Sequence, residues 1–216
     1  KRIIVSDNIG TGMMSSISSR IMRRTRAQTA HGTRLVFTAK DFLDFGGRTA
    51  IDQALSRLHR AGAIRRVGRG MYDIPRINPI LKKPAATDIA SVVNAVARRD
   101  DITIVPSGLA AANKLGLTNA VPARNDYLTN GSTRNLKIGG RTVRLRRASP
   151  KLLALKDRPS GDVVRALHWL GRDIATGDMV IETLRRRLPP DAKRDLARAR
   201  PMLDGWTGQV ADRVLA

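Results

Sequence analysis

The chain has 216 residues, of which 40 are Lys or Arg and 18 are Asp or Glu, for a formal net charge of +22. That excess sets it apart from an ordinary neutral metabolic enzyme and favours a polyanionic partner, because a strongly basic surface attracts phosphate through its long-range potential and through counterion release. Apolar residues make up 42%, enough for a core, while aromatics at 3% are too few for binding led by base stacking, and the absence of cysteine excludes disulfides, thiolate zinc sites and cysteine nucleophiles.

At roughly 150 residues per domain the length fits one large or two small domains. No run approaches the ~18 to 20 apolar residues of a spanning helix, and the N-terminus has no long apolar stretch, so a soluble protein of the cytoplasm without membrane contact is expected. Residues 1–14 show no periodicity and read as an N-terminal extension outside the fold. From Ser15 to Arg26, Ile17, Ile21 and Met22 recur at helical spacing among Arg20, Arg23, Arg24 and Arg26, which predicts a first helix. Leu35-Val36-Phe37 is a short β-prone run, and Thr38 with Asp41 three positions on is an N-cap signature for a short helix over Ala39–Phe45, ended by Gly46-Gly47.

A third helix begins near Arg48 and places Ile51, Ala54, Leu55 and Leu58 on one face, with Arg48, Thr49, Asp52, Gln53, Ser56, Arg57 and Arg60 on the other. Ala61-Gly62 ends it. Ile64-Arg65-Arg66-Val67 and Met71-Tyr72-Asp73-Ile74 then flank Gly68-Arg69-Gly70 as a hairpin. Helix, strand, helix, helix, hairpin is the order of a winged helix-turn-helix, here spanning residues 15–76 with thirteen basic residues against four aspartates. A recognition helix puts its N-terminal polar face against base edges, and Arg65, Arg66 and Arg69 sit on a basic wing that suits the backbone or minor groove. The same pattern is also that of an amphipathic core helix with a solvated basic face. His59, on the exposed side, suits a phosphate contact better than catalysis.

Pro75, Pro79 and Pro84 with Lys82-Lys83 mark a linker over residues 77–84, since prolines remove amide donors and disfavour helix. Residues 85–216 form the second domain. Ala85–Arg99 reads as a helix, Ile102–Val105 as a buried strand, and Ser107–Leu115 as a helix stopped by Gly116. Asn135–Ile138 and Arg141–Arg146 read as strands around Gly139-Gly140, with one apolar and one positive face. Arg134, Lys137, Arg141, Arg144, Arg146 and Arg147, with no acidic residue among them, make a second basic surface for an acidic partner or a nucleic acid. Charge that protects an exposed sheet edge from aggregation explains the same residues. Farther on, Val163, Val164, Leu167 and Leu170 form a helical stripe with Trp169 beside it, continued by Met179, Ile181 and Leu184. Arg185-Arg186-Arg187 ends that run, and after the break at Pro189-Pro190 two more helices cover Ala192–Arg200 and Trp206–Leu215.

The run Ala50-Ile51-Asp52-Gln53-Ala54-Leu55-Ser56, continuing through Gly68-Arg69-Gly70 to Pro75, resembles the winged-helix module of the AbiEi family, antitoxins of type IV toxin-antitoxin systems. A second match follows in order: Tyr127-Leu128-Thr129-Asn130-Gly131-Ser132-Thr133-Arg134, then the basic hairpin through Arg147 and Ala148-Ser149-Pro150. The resemblance implies an α+β chain in which an N-terminal winged helix-turn-helix precedes a mixed α/β C-terminal antitoxin domain with a basic β-hairpin and C-terminal helices. It also implies autorepression at an inverted repeat in the protein's own promoter and neutralisation of a cognate nucleotidyltransferase-like toxin. One winged helix reads one half-site, so a homodimer on double-stranded DNA is expected.

Signs of an active site are sparse. Glu182 is the single glutamate, His31, His59 and His168 are dispersed, and neither a His-Glu-x-x-His zinc helix nor a phosphate-binding loop occurs. No catalytic residue, metal site or cofactor is assigned, and a non-enzymatic protein is expected. The alternatives are a winged-helix regulator without a toxin partner, or a nucleic-acid- or protein-modifying enzyme that its winged helix positions.

Overall fold

The structure, a computed structural model, describes residues 16–32, 35–77 and 82–216. The expected extension over residues 1–14 lies outside the described residues. The chain is α+β and divides into two compact units, one up to Ser91 and one from Val92. Among the described residues, no helix is long and apolar enough to cross a membrane.

In the first unit, α1 (Ile17–Ala30) starts at Ser16, whose Oγ accepts the Ser19 N–H at 3.2 Å. It runs past the expected end at Arg26, because Ala27-Gln28 continue a helix without penalty, and stops before Gly32, which holds φ +65°. After β1 (Val36–Thr38), the short helix over Ala39–Phe45 is 3-10 rather than α. Asp41 Oδ2 caps it by accepting from the Thr38 N–H at 2.8 Å and the Thr38 hydroxyl at 3.1 Å. Confined between this cap and Gly46-Gly47, the segment winds tightly enough to bury Phe42 completely.

α2 (Arg48–Arg60) buries Ile51, Ala54 and Leu55 against Ile21, Phe37, Phe42 and Ile64. The hairpin β2 (Arg65–Gly68) and β3 (Met71–Asp73) turns at Arg69-Gly70, and β1 pairs with the free side of β3, giving an antiparallel sheet ordered β1-β3-β2. Two of the α1 arginines hold the helix in place. Arg20 and Arg24 stack on the Phe45 ring at 4.3 and 3.9 Å, and Arg24 forks onto Asp44 at 2.6 and 2.7 Å.

The proline-rich stretch read as a linker folds back at its described ends. Ala85 N–H donates to the Arg76 carbonyl at 2.7 Å and Ile77 bridges to Pro84. The division between the units falls later, inside α3 (Ile89–Asp100).

The second unit continues with β4 (Ile104–Pro106), α4 (Gly108–Lys114), β5 (Asn125–Thr129), β6 (Arg134–Ile138) and β7 (Arg141–Arg147). The sheet order is β4-β5-β7-β6, with β5 parallel to β7 and the other pairs antiparallel. Gly139 and Gly140 turn the β6–β7 hairpin at φ +52° and +80°, as a two-residue primed turn requires. Six α-helical segments follow, α5 (Pro150–Leu153), α6 (Pro159–Leu170), α7 (Arg172–Ala175), α8 (Asp178–Arg187), α9 (Pro190–Ala199) and α10 (Gly205–Leu215), with a 3-10 turn over Arg200–Met202 between the last two. Their core joins Val163 and Leu167 of α6, Ile181 and Leu184 of α8, Leu196 of α9, and Val210 and Val214 of α10. Met179, expected in this stripe, is 83% exposed, because α8 turns Val180, Ile181 and Leu184 inward instead.

Candidate nucleic-acid interface

The apolar residues of α2 occupy one side, so its other side faces solvent. Arg48, Thr49, Asp52, Gln53, Ser56, Arg57 and Arg60 are all exposed there, as the spacing predicts. Arg48 and Asp52 are not independent, since Arg48 Nε donates to Asp52 Oδ2 at 2.8 Å one turn along. Gly47, at the N-cap, has no side chain to satisfy the first amides of α2, so these donors are left to solvent or a ligand.

On the hairpin, Arg66 and Arg69 are exposed. Arg65 is the exception to the expected wing. Strand alternation puts it on the side of buried Val67, where Nε and Nη2 donate to Asp73 Oδ1 and Oδ2 at 3.0 and 2.6 Å. Its Nη1 reaches the Ala85 carbonyl at 3.0 Å, and Thr87 donates to the same Asp73 carboxylate at 2.8 Å. Arg65 therefore fastens the segment after the proline stretch to the sheet, unlike its exposed neighbours Arg66 and Arg69. His59 is also engaged: its Nδ1 lies 3.3 Å from the carbonyl oxygen of Ile64, the residue before β2.

The second basic surface divides in the same way. Val143 and Leu145 are buried while Arg144 and Arg146 are exposed, together with Lys137, Arg141 and Arg147. Arg134 instead pairs with Asp100, which also takes Arg99 Nε at 2.7 Å. The hydrogen bond from Arg99, reinforced by Arg134 and opposed by burial, holds the Asp100 carboxyl below its ordinary value. Arg134 thus ties β6 to the end of α3.

Arg144, Arg146 and Arg147 line a cavity of about 450 Å³ whose far wall includes Arg165, His168 and Trp169 of α6. The sequence reading did not single out Arg165 or Trp169 as site residues. The signal for Arg165 was an arginine embedded between Val164 and Ala166 in an apolar stripe. It is 2% exposed, with Nη2 on Asp162 Oδ1 at 2.5 Å. Among the described residues, no cluster of three or more His, Asp or Glu is placed to hold a metal ion.

The model of a family of unknown function, DUF6088, matches residues 20–196. The chain belongs to this family. The match begins in α1 and ends in α9, so the DUF6088 span takes in both the α2 face and the basic hairpin. A solved structure, the Rv2827c protein from Mycobacterium tuberculosis, is similar at 18% identity and a TM-score of 0.39, over 94% of this chain and 82% of that one. A search of curated proteins returns no match.

Proposed function

We propose that this protein reads double-stranded DNA through a winged helix-turn-helix in its first unit, with α2 as recognition helix and the β2–β3 hairpin as wing. The observation that carries the reading is the outward face of α2, where Arg48, Thr49, Gln53 and Arg57 stand exposed opposite the buried Ile51, Ala54 and Leu55. Arginine suits guanine and glutamine suits adenine on the major-groove edge. Arg66 and Arg69 then follow the phosphates from the hairpin, giving register without sequence information. The first amides of α2, which have no side-chain cap, favour a phosphate at that end.

The biological role follows from the AbiEi resemblance. The protein acts in the cytoplasm as an autorepressor at an inverted repeat in its own promoter, bound as two copies. Its second unit neutralises a nucleotidyltransferase-like toxin encoded beside it. The resemblance of Ala50–Pro75 and Tyr127–Arg134 supports this role, whereas the DNA-reading half stands on the α2 geometry as well.

Anisotropy of labelled duplexes tests the assignment. Gln53→Ala should narrow the gap between promoter and random duplex by about 1 to 3 kcal/mol. Arg69→Ala should weaken both duplexes alike. Unchanged affinities in both variants would remove α2 and the hairpin from the interface.

A further inference from the structure

We propose that the second unit binds a nucleotide, with its base on Trp169 and its phosphates on the outward arginines of β7. This is independent of duplex reading by the first unit.

The cavity between β7 and α6, at about 450 Å³, falls in the range of small-molecule sites and is far too small for a duplex. Its lining includes Arg144, Arg146, Arg147, Arg165 and His168 but no carboxylate, and Leu128 and Leu152 supply an apolar surface. Among the described residues, Arg144 and Arg146 make no ion pair, so their charge is available to a ligand. Arg165 is the buried part of this lining, its Nη2 held by Asp162 and its Nη1 reaching the Leu152 carbonyl at 3.5 Å, so it braces the wall opposite the exposed arginines.

Trp169 supplies what an anion alone would not need. The ring is 44% exposed, although tryptophans are largely buried on average. Trp169 and Arg146 also line a second cavity of about 260 Å³, shared with Arg124 and Asp126. They therefore stand at the junction of two recesses, where a base against the indole leaves its phosphates among arginines. Gly108 secures the ring's position: a Cβ there would lie 2.5 Å from Trp169 Cβ and 2.6 Å from the Arg165 carbonyl. One exposed aromatic beside arginines is the minimal stacking platform with a cationic partner.

The same chemistry is offered by a free nucleotide and by a residue of a single strand. Both tryptophans of the chain, Trp169 and Trp206, lie in the second unit, so indole fluorescence reports this unit even when the first unit binds nucleic acid. The full chain would be titrated with ATP, inorganic triphosphate and an eight-nucleotide single strand, alongside Arg146→Ala, Trp169→Leu and Trp206→Phe. Saturable quenching by ATP or by the strand, retained in Trp206→Phe and weakened about tenfold or more in Arg146→Ala, is expected. Trp169→Leu should lose comparable affinity in a competition assay. Tighter ATP binding identifies a free nucleotide, and tighter strand binding identifies a single strand. Absence of quenching by both, or inorganic triphosphate competing as well as ATP with Trp169→Leu unaffected, would overturn the proposal. Arg146 is exposed, so its variant keeps the fold and any loss reads on binding.

Discussion

Arg48 and Asp52 hold each other across one turn of α2, Nε to Oδ2 at 2.8 Å, with side chains 65% and 52% exposed. The pair places a carboxylate in the middle of a basic face proposed to meet DNA. Exposed pairs at this spacing contribute only about 0.3 to 0.5 kcal/mol, so fold stability does not account for it. On the proposed reading its larger effect is on binding: a carboxylate that orients one edge of Arg48 and repels phosphate would penalise loose, charge-driven association.

Replacing Asp52 with asparagine should therefore leave the melting temperature nearly unchanged. Affinity for random duplex should rise more than affinity for the promoter, lowering their ratio. Paired titrations on the two duplexes at one salt concentration check this, and an unchanged ratio would remove Asp52 from the discriminating set.

Arg65 and Arg66 are adjacent in sequence yet should behave oppositely. Arg65→Ala leaves Asp73, 6% exposed, without its cation, and should cost roughly 2 to 3 kcal/mol in chemical denaturation, less than a fully buried pair because Arg65 is itself partly exposed. Arg66→Ala should leave stability unchanged and reduce the salt slope of duplex binding by about 0.9, one phosphate contact.

Asp100 gives the second unit an acid-sensitive tie. Its carboxyl is held below the ordinary value by Arg99 and Arg134, so the folded state binds the proton less readily than the unfolded chain. The stabilisation is then fully present above the unfolded value of about 3.9 and is lost as pH falls through the lower folded value. Asp100→Asn should be less stable than wild type at neutral pH, and the difference should close on acidification below about pH 4. Denaturation curves at pH 7 and at successively lower pH measure it; a gap that widens in acid would reverse the sign of the linkage.

Gly108 should tolerate no side chain. In Gly108→Ala the new methyl meets Trp169 and the Arg165 backbone, so α4 and α6 must separate, at about 1 to 3 kcal/mol. A shifted tryptophan emission maximum with lowered stability is expected, whereas wild-type emission and stability would show that the two helices part freely.

The sequence disclosed the elements with strong local grammar. Periodic apolar residues marked α2, Thr38 with Asp41 marked the start of the short helix, and Gly139-Gly140 marked the β6–β7 turn. What it hid were relationships set by tertiary partners. β5 was missed because Asn125–Thr129 carries no alternation: its Leu128 and Thr129 are buried in succession between its neighbours β4 and β7. Arg65 and Arg134 looked like surface charge because their carboxylates, Asp73 and Asp100, lie 8 and 34 positions away. The cavity under β7 was equally hidden, since Arg146 and Trp169 meet only once the sheet and α6 are packed. The alternation of β7, by contrast, told which arginines face outward.

The α2 face is proposed to read sequence rather than charge alone. A salt-titrated mobility shift of the full chain on the duplex upstream of its own gene, against a random duplex of equal length, tests it most directly. A preference of about 10³-fold or more that persists at physiological salt is the predicted result. Equal affinities that fall together as salt rises would contradict it, leaving the +22 charge as the whole of the attraction.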